Sequence, residues 1–262
     1  MRTRTVLLAG AAALAALLIG PAMPATAITY GAFDGDDHPQ VGGLVADQAY
    51  SDGTWIYCSG TLISPTVFLT AAHCGDPGQS TARVTFSSRY RDGDTVYVGS
   101  YVPHPGYRGA QSDPHDIAVV VFDRPVRGIT PARLPAAGLL DRMKADGSLE
   151  SATFTAVGYG SFEPVNGPGG QQFLYDDSRN AAFGSFNSLN KAWLRLSQNP
   201  STGNGGTCYG DSGGPNFLGG TSSDLLVATT ITGDTVCRST NVDYRVDTVP
   251  ARQFLGQFVA LP

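Results

Sequence analysis

Apolar residues fall in short bursts and alternations along most of the chain, with few stretches long enough for a helix of several turns. Thr61–Ile63, Val67–Thr70, Val84–Phe86 and Thr95–Val98 read as strands, each bounded by Gly, Pro, Asp or Ser. Ile117–Phe122 is apolar throughout, the mark of a strand covered on both faces. After a passage punctuated by Pro125, Pro131 and Pro135, further strands are predicted at Thr153–Val157, Ala192–Leu196, Leu225–Ile231 and Val242–Val246. Two β units therefore meet within the passage 125–140. The segments 158–170 and 200–206 are rich in Gly, Pro, Ser and Asn and read as exposed loops. One helix is predicted, at the end: Thr248 caps it, Pro250 lies in its first turn, and Phe254, Leu255, Phe258 and Val259 form an apolar face that docks on the second unit.

The first residues follow a different pattern. Arg2 and Arg4 precede 14 apolar or small residues, Val6 to Ile19, and the segment closes on Ala25-Thr26-Ala27. A basic start, a short apolar stretch and an A-x-A site describe a secretory signal peptide, and the stretch is shorter than the ~20 residues a membrane-spanning helix needs. Cleavage after Ala27 leaves a secreted chain starting at Ile28, with 15 basic against 22 acidic residues once Arg2 and Arg4 are gone.

Composition agrees with the strand pattern. The 33 Gly and 17 Pro resist helices, and with 42% hydrophobic and only 15% charged residues the chain has a core to bury and is neither disordered nor a coiled coil. The net charge of −5 and the lack of any Lys/Arg cluster argue against nucleic acid or an anionic membrane as partners. Export makes the four cysteines, Cys58, Cys74, Cys208 and Cys237, readable as two disulfides. Three connectivities are open. Zinc is the weaker reading, for there is no C-x-x-C and no His near the second pair.

The chemistry centres on Gly210-Asp211-Ser212-Gly213-Gly214-Pro215, where glycines leave a serine hydroxyl and neighbouring N–H groups unobstructed. The string also satisfies G-x-S-x-G, but an α/β-hydrolase places its His after the Ser, and the last of the four histidines is His115. The base must come from upstream. His38 and His104 each precede a Pro and read as solvated loop residues; His73 lies in Thr70-Ala71-Ala72-His73-Cys74, just after the apolar stretch Val67–Leu69, and is tethered by Cys74; His115 is a weaker rival beside Asp116. Asp116 opens the apolar strand Ile117–Phe122, where a carboxylate needs a partner such as an imidazole.

Thr70-Ala71-Ala72-His73-Cys74, Asp116-Ile117-Ala118 and Gly210-Asp211-Ser212-Gly213-Gly214-Pro215 together resemble, in order and spacing, the three signature blocks of chymotrypsin/trypsin-type serine proteases. The resemblance implies an all-β fold of two six-stranded antiparallel β-barrels with a C-terminal α-helix, divided as 28–135 and 136–262. It implies disulfides Cys58–Cys74 and Cys208–Cys237, and an endopeptidase that is monomeric, acts on proteins or peptides and needs no metal or organic cofactor. In that scheme Ser212 attacks, His73 moves the proton, Asp116 orients His73, and the N–H groups of Gly210 and Ser212 form the oxyanion hole. The alternative is a catalytically silent protease-fold binding module, which ordinarily lacks a member of the triad. The resemblance also implies that a freshly exposed N-terminus, here Ile28, pairs with Asp211. Gly206 stands where trypsin-like members carry an acid at the pocket base, and Val242 stands where a small residue opens the pocket, so the implied preference is for uncharged small or medium side chains at P1. A shift of one residue would put Asp243, otherwise a solvent-facing strand residue, in that wall and favour basic side chains.

Overall fold

The computed structural model describes residues 28–108 and 112–262; residues 1–27, which the sequence leads one to expect as a signal peptide, lie outside them. After the two-residue strand β1 (Ala32–Phe33), six strands form a closed antiparallel barrel: β2 (Val41–Val45), β3 (Ile56–Ser64), β4 (Val67–Thr70), β5 (Thr81–Thr85), β6 (Tyr97–Pro103) and β7 (Ala118–Phe122), joined in the order β2-β3-β4-β7-β6-β5. Val41, Leu44, Leu62, Phe68, Leu69, Val84 and Val120 fill it. β7 is buried on both faces apart from a half-buried Val121, as its unbroken apolar run predicts.

A second barrel follows α1 (Leu139–Ala145). It is built from β8 (Thr153–Gly158), β11 (Asn180–Leu189), β12 (Trp193–Ser197), β13 (Pro215–Leu218), β14 (Leu226–Gly233) and β15 (Thr240–Arg245), with a small ribbon of β9 (Val165–Gly167) and β10 (Gly170–Gln172) between β8 and β11. The order β11-β12-β15-β14-β13-β8 closes through β8 and β11, while β1 adds a short outer pairing to β11. Leu140, Phe154, Leu194, Leu196 and Val227 make its core. The chain ends in α2 (Val249–Leu255), where Thr248 Oγ1 accepts from Ala251 N and Phe254 and Leu255 are buried.

Several expectations change. α1 has no sequence signal because it is only seven residues long and its first turn is held from a distance, Asp247 Oδ2 accepting from Leu140 N at 2.8 Å. α2 reaches back to the first barrel, with Phe254 5.0 Å from the His104 ring, so it does not dock on the second unit alone. The stretch 158–162 is buried, not exposed, because its glycines wrap the Asp211 carboxylate; Gly205 and Gly206 are buried against the Thr29 backbone. His104 is half-buried and stacked on His115, ring centroids 4.4 Å apart.

His38 is likewise no surface residue. It is 1% exposed, stacks on Phe217 and meets Asp34 through Nδ1. Asp34 in turn accepts from Arg179 Nε at 2.7 Å, and the Arg179 guanidinium donates to the carbonyls of Val41 and Phe86 in the first barrel. The buried Asp34–Arg179 pair thus fastens the segment ahead of β2 to both barrels. Burial alone would raise the Asp34 pKa, but His38 and Arg179 outweigh it and hold the carboxyl below its ordinary value. A depressed carboxyl stabilises the fold above its unfolded pKa and loses that contribution as pH falls through its folded pKa. Asp34→Asn is therefore expected to cost about 3–5 kcal/mol at pH 7, because it leaves the Arg179 charge buried without its partner. Urea unfolding of both proteins checks it, with the gap narrowing below about pH 4.

Candidate active site

β4 ends at Thr70, and a single 3-10 turn, Ala72–Cys74, presents His73 at the barrel rim. The Cys58–Cys74 disulfide ties this turn to β3, and Cys208–Cys237 closes the corresponding rim of the second barrel; of the three connectivities, the structure forms the pairing the resemblance implied. Asp116 lies just before β7, which pairs along β4, with Thr70 opposite Ala118. The shared ladder brings the two side chains together. Asp116 Oδ2 lies 2.8 Å from His73 Nδ1, and Oδ1 accepts the His73 backbone N–H at 2.9 Å. Two contacts from one carboxylate fix both the ring and its backbone, and Asp116 is only 8% exposed. An imidazole held in this way at Nδ1 keeps Nε2 available to take a proton.

Ser212 sits on a loop seated between the barrels. On the first-barrel side Ser59 N donates to the Ser212 carbonyl at 2.8 Å and Ser59 Oγ donates to the Gly210 carbonyl at 3.0 Å. On the second-barrel side Gly213 N donates to Thr230 O at 2.7 Å and Thr230 N to Gly214 O at 2.9 Å. Cys74 Sγ lies 3.7 Å from the Ser212 carbonyl oxygen. Gly210 and Gly213 adopt φ of 94° and 83°, a region open to glycine and costly for other residues. Among the described residues, neither the Gly210 nor the Ser212 N–H takes part in a backbone hydrogen bond.

His73 and Ser212 line one cavity of about 340 Å³ between the barrels, with Thr207, Tyr209 and the strand segment Thr230–Gly233 among its walls. Asp234 also lines it, but its carboxylate accepts from the backbone N–H groups of Arg238, Ser239 and Thr240 and from Gln198 Nε2. Burial would raise the Asp234 pKa; these donors outweigh it and keep the group ionised and occupied with its own turn. Gly206 and Val242 are not among the lining residues. Asp243 is fully buried, not solvent-facing: Oδ1 accepts from Asn216 Nδ2 at 2.7 Å and Thr230 Oγ1 at 3.2 Å, and burial pushes its carboxyl far up. His115 also stays out of the cavity, its Nδ1 3.3 Å from the Tyr244 hydroxyl.

Asp211 is fully buried behind Ser212. Its two oxygens accept from Gly160 N and Cys208 N, each at 2.8 Å, and burial raises its pKa to about 7 because no cation faces it among the described residues. Ile28 is also fully buried, packed on Ala156 and Ala182, while Thr29 pairs with Gly206 through reciprocal N–H to O bonds of 2.9 and 3.0 Å. Ile28 thus touches one residue of β8 and one of β11, the segment after it pairs with Gly206 and β11, and the end of β8, Gly158, adjoins the Asp211 carboxylate. Sequence reasoning did not single out Ser59, Tyr209 or Asp234. A serine inside a strand, a tyrosine in a loop and an aspartate in a turn carry no local signal of proximity to Ser212.

A family model described as Trypsin matches residues 40–251. A trypsin from Saccharopolyspora erythraea is 27% identical over 193 residues, covering 68% of this chain and 76% of that protein. A trypsin from Phaedon cochleariae is 38% identical over 90 residues, 31% of this chain and 34% of that protein; a vitellin-degrading protease from Bombyx mori is 38% identical over 72 residues, 26% and 27%. The last two relatives are thus spanned over only about a third of their length or less. With the two barrels, the match over residues 40–251 shows that the chain belongs to the trypsin family of serine proteases.

Proposed function

We propose that the protein is a secreted serine endopeptidase that cleaves peptide bonds through Ser212, His73 and Asp116. The observation that carries this reading is the double contact of Asp116 with His73 at the mouth of a cavity that Ser212 shares. Asp116 holds the Nδ1 proton in place, so Nε2 faces the cavity as the base that takes the Ser212 proton and returns it to the leaving amine. The Gly210 and Ser212 N–H groups, not spent on backbone acceptors, then hold the developing oxyanion, a contribution of about 3 kcal/mol for each donor. The acyl-enzyme formed on Ser212 is released by water. The silent binding module finds no support in a site where all three side chains are present. The reading as a secreted enzyme rests on the segment 1–27, and among the described residues no helix is long and apolar enough to cross a membrane.

The cavity walls favour uncharged small or medium P1 side chains, though not for the reason first expected. Its walls are mostly neutral, Asp234 is committed to its own turn, and Asp243 lies behind Thr230 with its carboxyl pushed toward the neutral form. Ile28 supplies the activation step. Released by signal cleavage, its ammonium pairs with Asp211, which otherwise has two N–H donors and no opposite charge.

A fluorophosphonate is expected to label Ser212 in the mature protein and to leave Ser212→Ala unlabelled, with Asp116→Asn slowed by several orders of magnitude; mass spectrometry of the labelled peptide checks it. A folded protein that takes no label would instead establish the silent module. Among chromogenic peptides differing only at P1, Ala and Val are expected to exceed Arg in kcat/KM by roughly a hundredfold, the cost of desolvating an unpaired charge. Efficient Arg cleavage refutes the neutral pocket. N-terminal sequencing of active enzyme should begin at Ile28, and a chain with one residue added before Ile28 should lose roughly a hundredfold or more in activity, since breaking a buried ion pair costs about 3–5 kcal/mol. Full activity from any other start refutes the insertion.

A further inference from the structure

A second cavity, of about 490 Å³, shares Tyr209 with the one that holds Ser212 and is lined by Gly210 but by none of Thr230–Gly233. It runs along the start of β3, whose Ser59 seats the Ser212 loop, and its walls include Tyr50, Asp52, Tyr57, Tyr175, Tyr209 and Gly210. Tyr50 and Tyr209 are each 47% exposed, so these rings are not core residues that happen to border a void. Tyr209 lines both cavities. Its ring meets Phe173 edge-on at 4.7 Å and its hydroxyl donates to Thr235 O, in the wall of the first cavity, at 3.4 Å.

Four phenol rings surround a space that also carries a negative charge. Asp52 accepts from the Thr54 hydroxyl and backbone N–H through one oxygen, which holds its carboxyl below the ordinary value and ionised. Its field reaches the rings: burial, then Asp76 and Asp52, push the Tyr50 phenol up, and burial followed by Asp211 does the same for Tyr175, with Asp52 adding to it. An acidic side chain would meet repulsion here, and an apolar one would use only the ring faces. A cation gains from the ring faces and the carboxylate together. A guanidinium gains most, since its plane stacks on tyrosine.

We propose that this cavity binds a basic side chain, Arg above Lys, within the first three residues on the leaving-group side of the scissile bond. The assignment rests on the serine-endopeptidase reading. With the carbonyl held at Gly210 and Ser212 and the P1 side chain along Thr230–Gly233, the cavity lined by Gly210 and the start of β3, but by none of that strand segment, is the one left for the departing side of the substrate.

The test uses the mature protein and internally quenched peptides identical on the acyl side. Arg, Lys, norleucine, Phe or Glu is placed in turn at each of the three positions after the cleaved bond. At one position Arg should exceed norleucine by roughly 3- to 30-fold in kcat/KM, with Glu lowest. The ratio should shrink in 1 M salt and, measured within each variant, in Asp52→Asn and Tyr50→Ala. The same peptides are also titrated into Ser212→Ala by fluorescence anisotropy, which reports binding without turnover. Preference for Arg in that variant supports the site even if the hydrolytic reading fails. Norleucine or Phe matching or exceeding Arg at all three positions, in turnover and in binding, overturns it.

Discussion

The loop that carries Ser212 has no regular structure of its own and is held by what it touches. Ser59 of β3 fixes it from one barrel, and Thr230 of β14 fixes it from the other through a reciprocal pair of backbone hydrogen bonds at Gly213 and Gly214. Gly213 is the point of closest approach. A Cβ there would stand 2.2 Å from Thr70 Oγ1 and 2.3 Å from Ser59 O, too near for any side chain. Thr70 is the last residue of β4, three positions before His73, so the absence of one side chain brings the serine loop onto the strand end that delivers the imidazole. The Cys58–Cys74 bridge then holds that strand end to the strand that seats the loop. The spacing of the site is therefore a property of the contact between barrels, and neither barrel alone contains it.

Two buried acids near this contact meet different fates. Asp34 is matched by Arg179 and His38, so its charge is compensated where the N-terminal segment crosses both barrels. Asp211 lies beneath Ser212 with two backbone N–H donors and a carboxyl raised to about 7, which means that ionising it in the intact chain is costly. Its surroundings are close-packed and need glycine: a Cβ on Gly158 or Gly160 would meet the carboxylate at 2.2–2.3 Å. Ile28 already packs on Ala156 of the adjoining strand. A cation delivered there would change the energy of the loop that carries Ser212 more than a cation at any exposed carboxylate, because screening by water is absent.

The parts of this architecture that were legible in the sequence are those with a local cause. Ile117–Phe122 reads as a buried strand because its residues are apolar on both faces, and α2 declares itself through Thr248, Pro250 and Phe254. The residues brought together at the cavity stand out because glycines flank Ser212 and because histidines are few. What the sequence hid is non-local. β11, with its run of Asn, Ala, Gly and Ser, has little strand propensity and owes its conformation to pairing with β8 and β12. His38 beside a proline suggested a solvated loop; its burial depends on Asp34 and on Arg179, which lies 145 positions beyond Asp34. The orientation of β15 was open by one residue for the same reason, since it is decided by its ladders with β12 and β14 and not by its own alternation.

That register also explains where the cavity beside Ser212 stops. Asp243 pairs across from Thr230, and with Asn216 and Asn241 it forms a hydrogen-bonded polar cluster in the second barrel, where hydrophobic side chains would be the ordinary filling. Such a cluster is favourable only when its members satisfy one another, and an ionised carboxylate in it would lack compensation. Burial resolves the difficulty by driving Asp243 toward its neutral form, which lets it share hydrogen bonds without a counter-charge. Thr230 takes part on both sides of this boundary. Its hydroxyl closes the cluster, its backbone holds Gly213 and Gly214, and it forms part of the cavity wall. Thr230 therefore links the polar cluster to the cavity wall and, together with Ser59, to the seat of the Ser212 loop, so a change in the cluster is transmitted to the serine through the backbone bonds of Gly213 and Gly214.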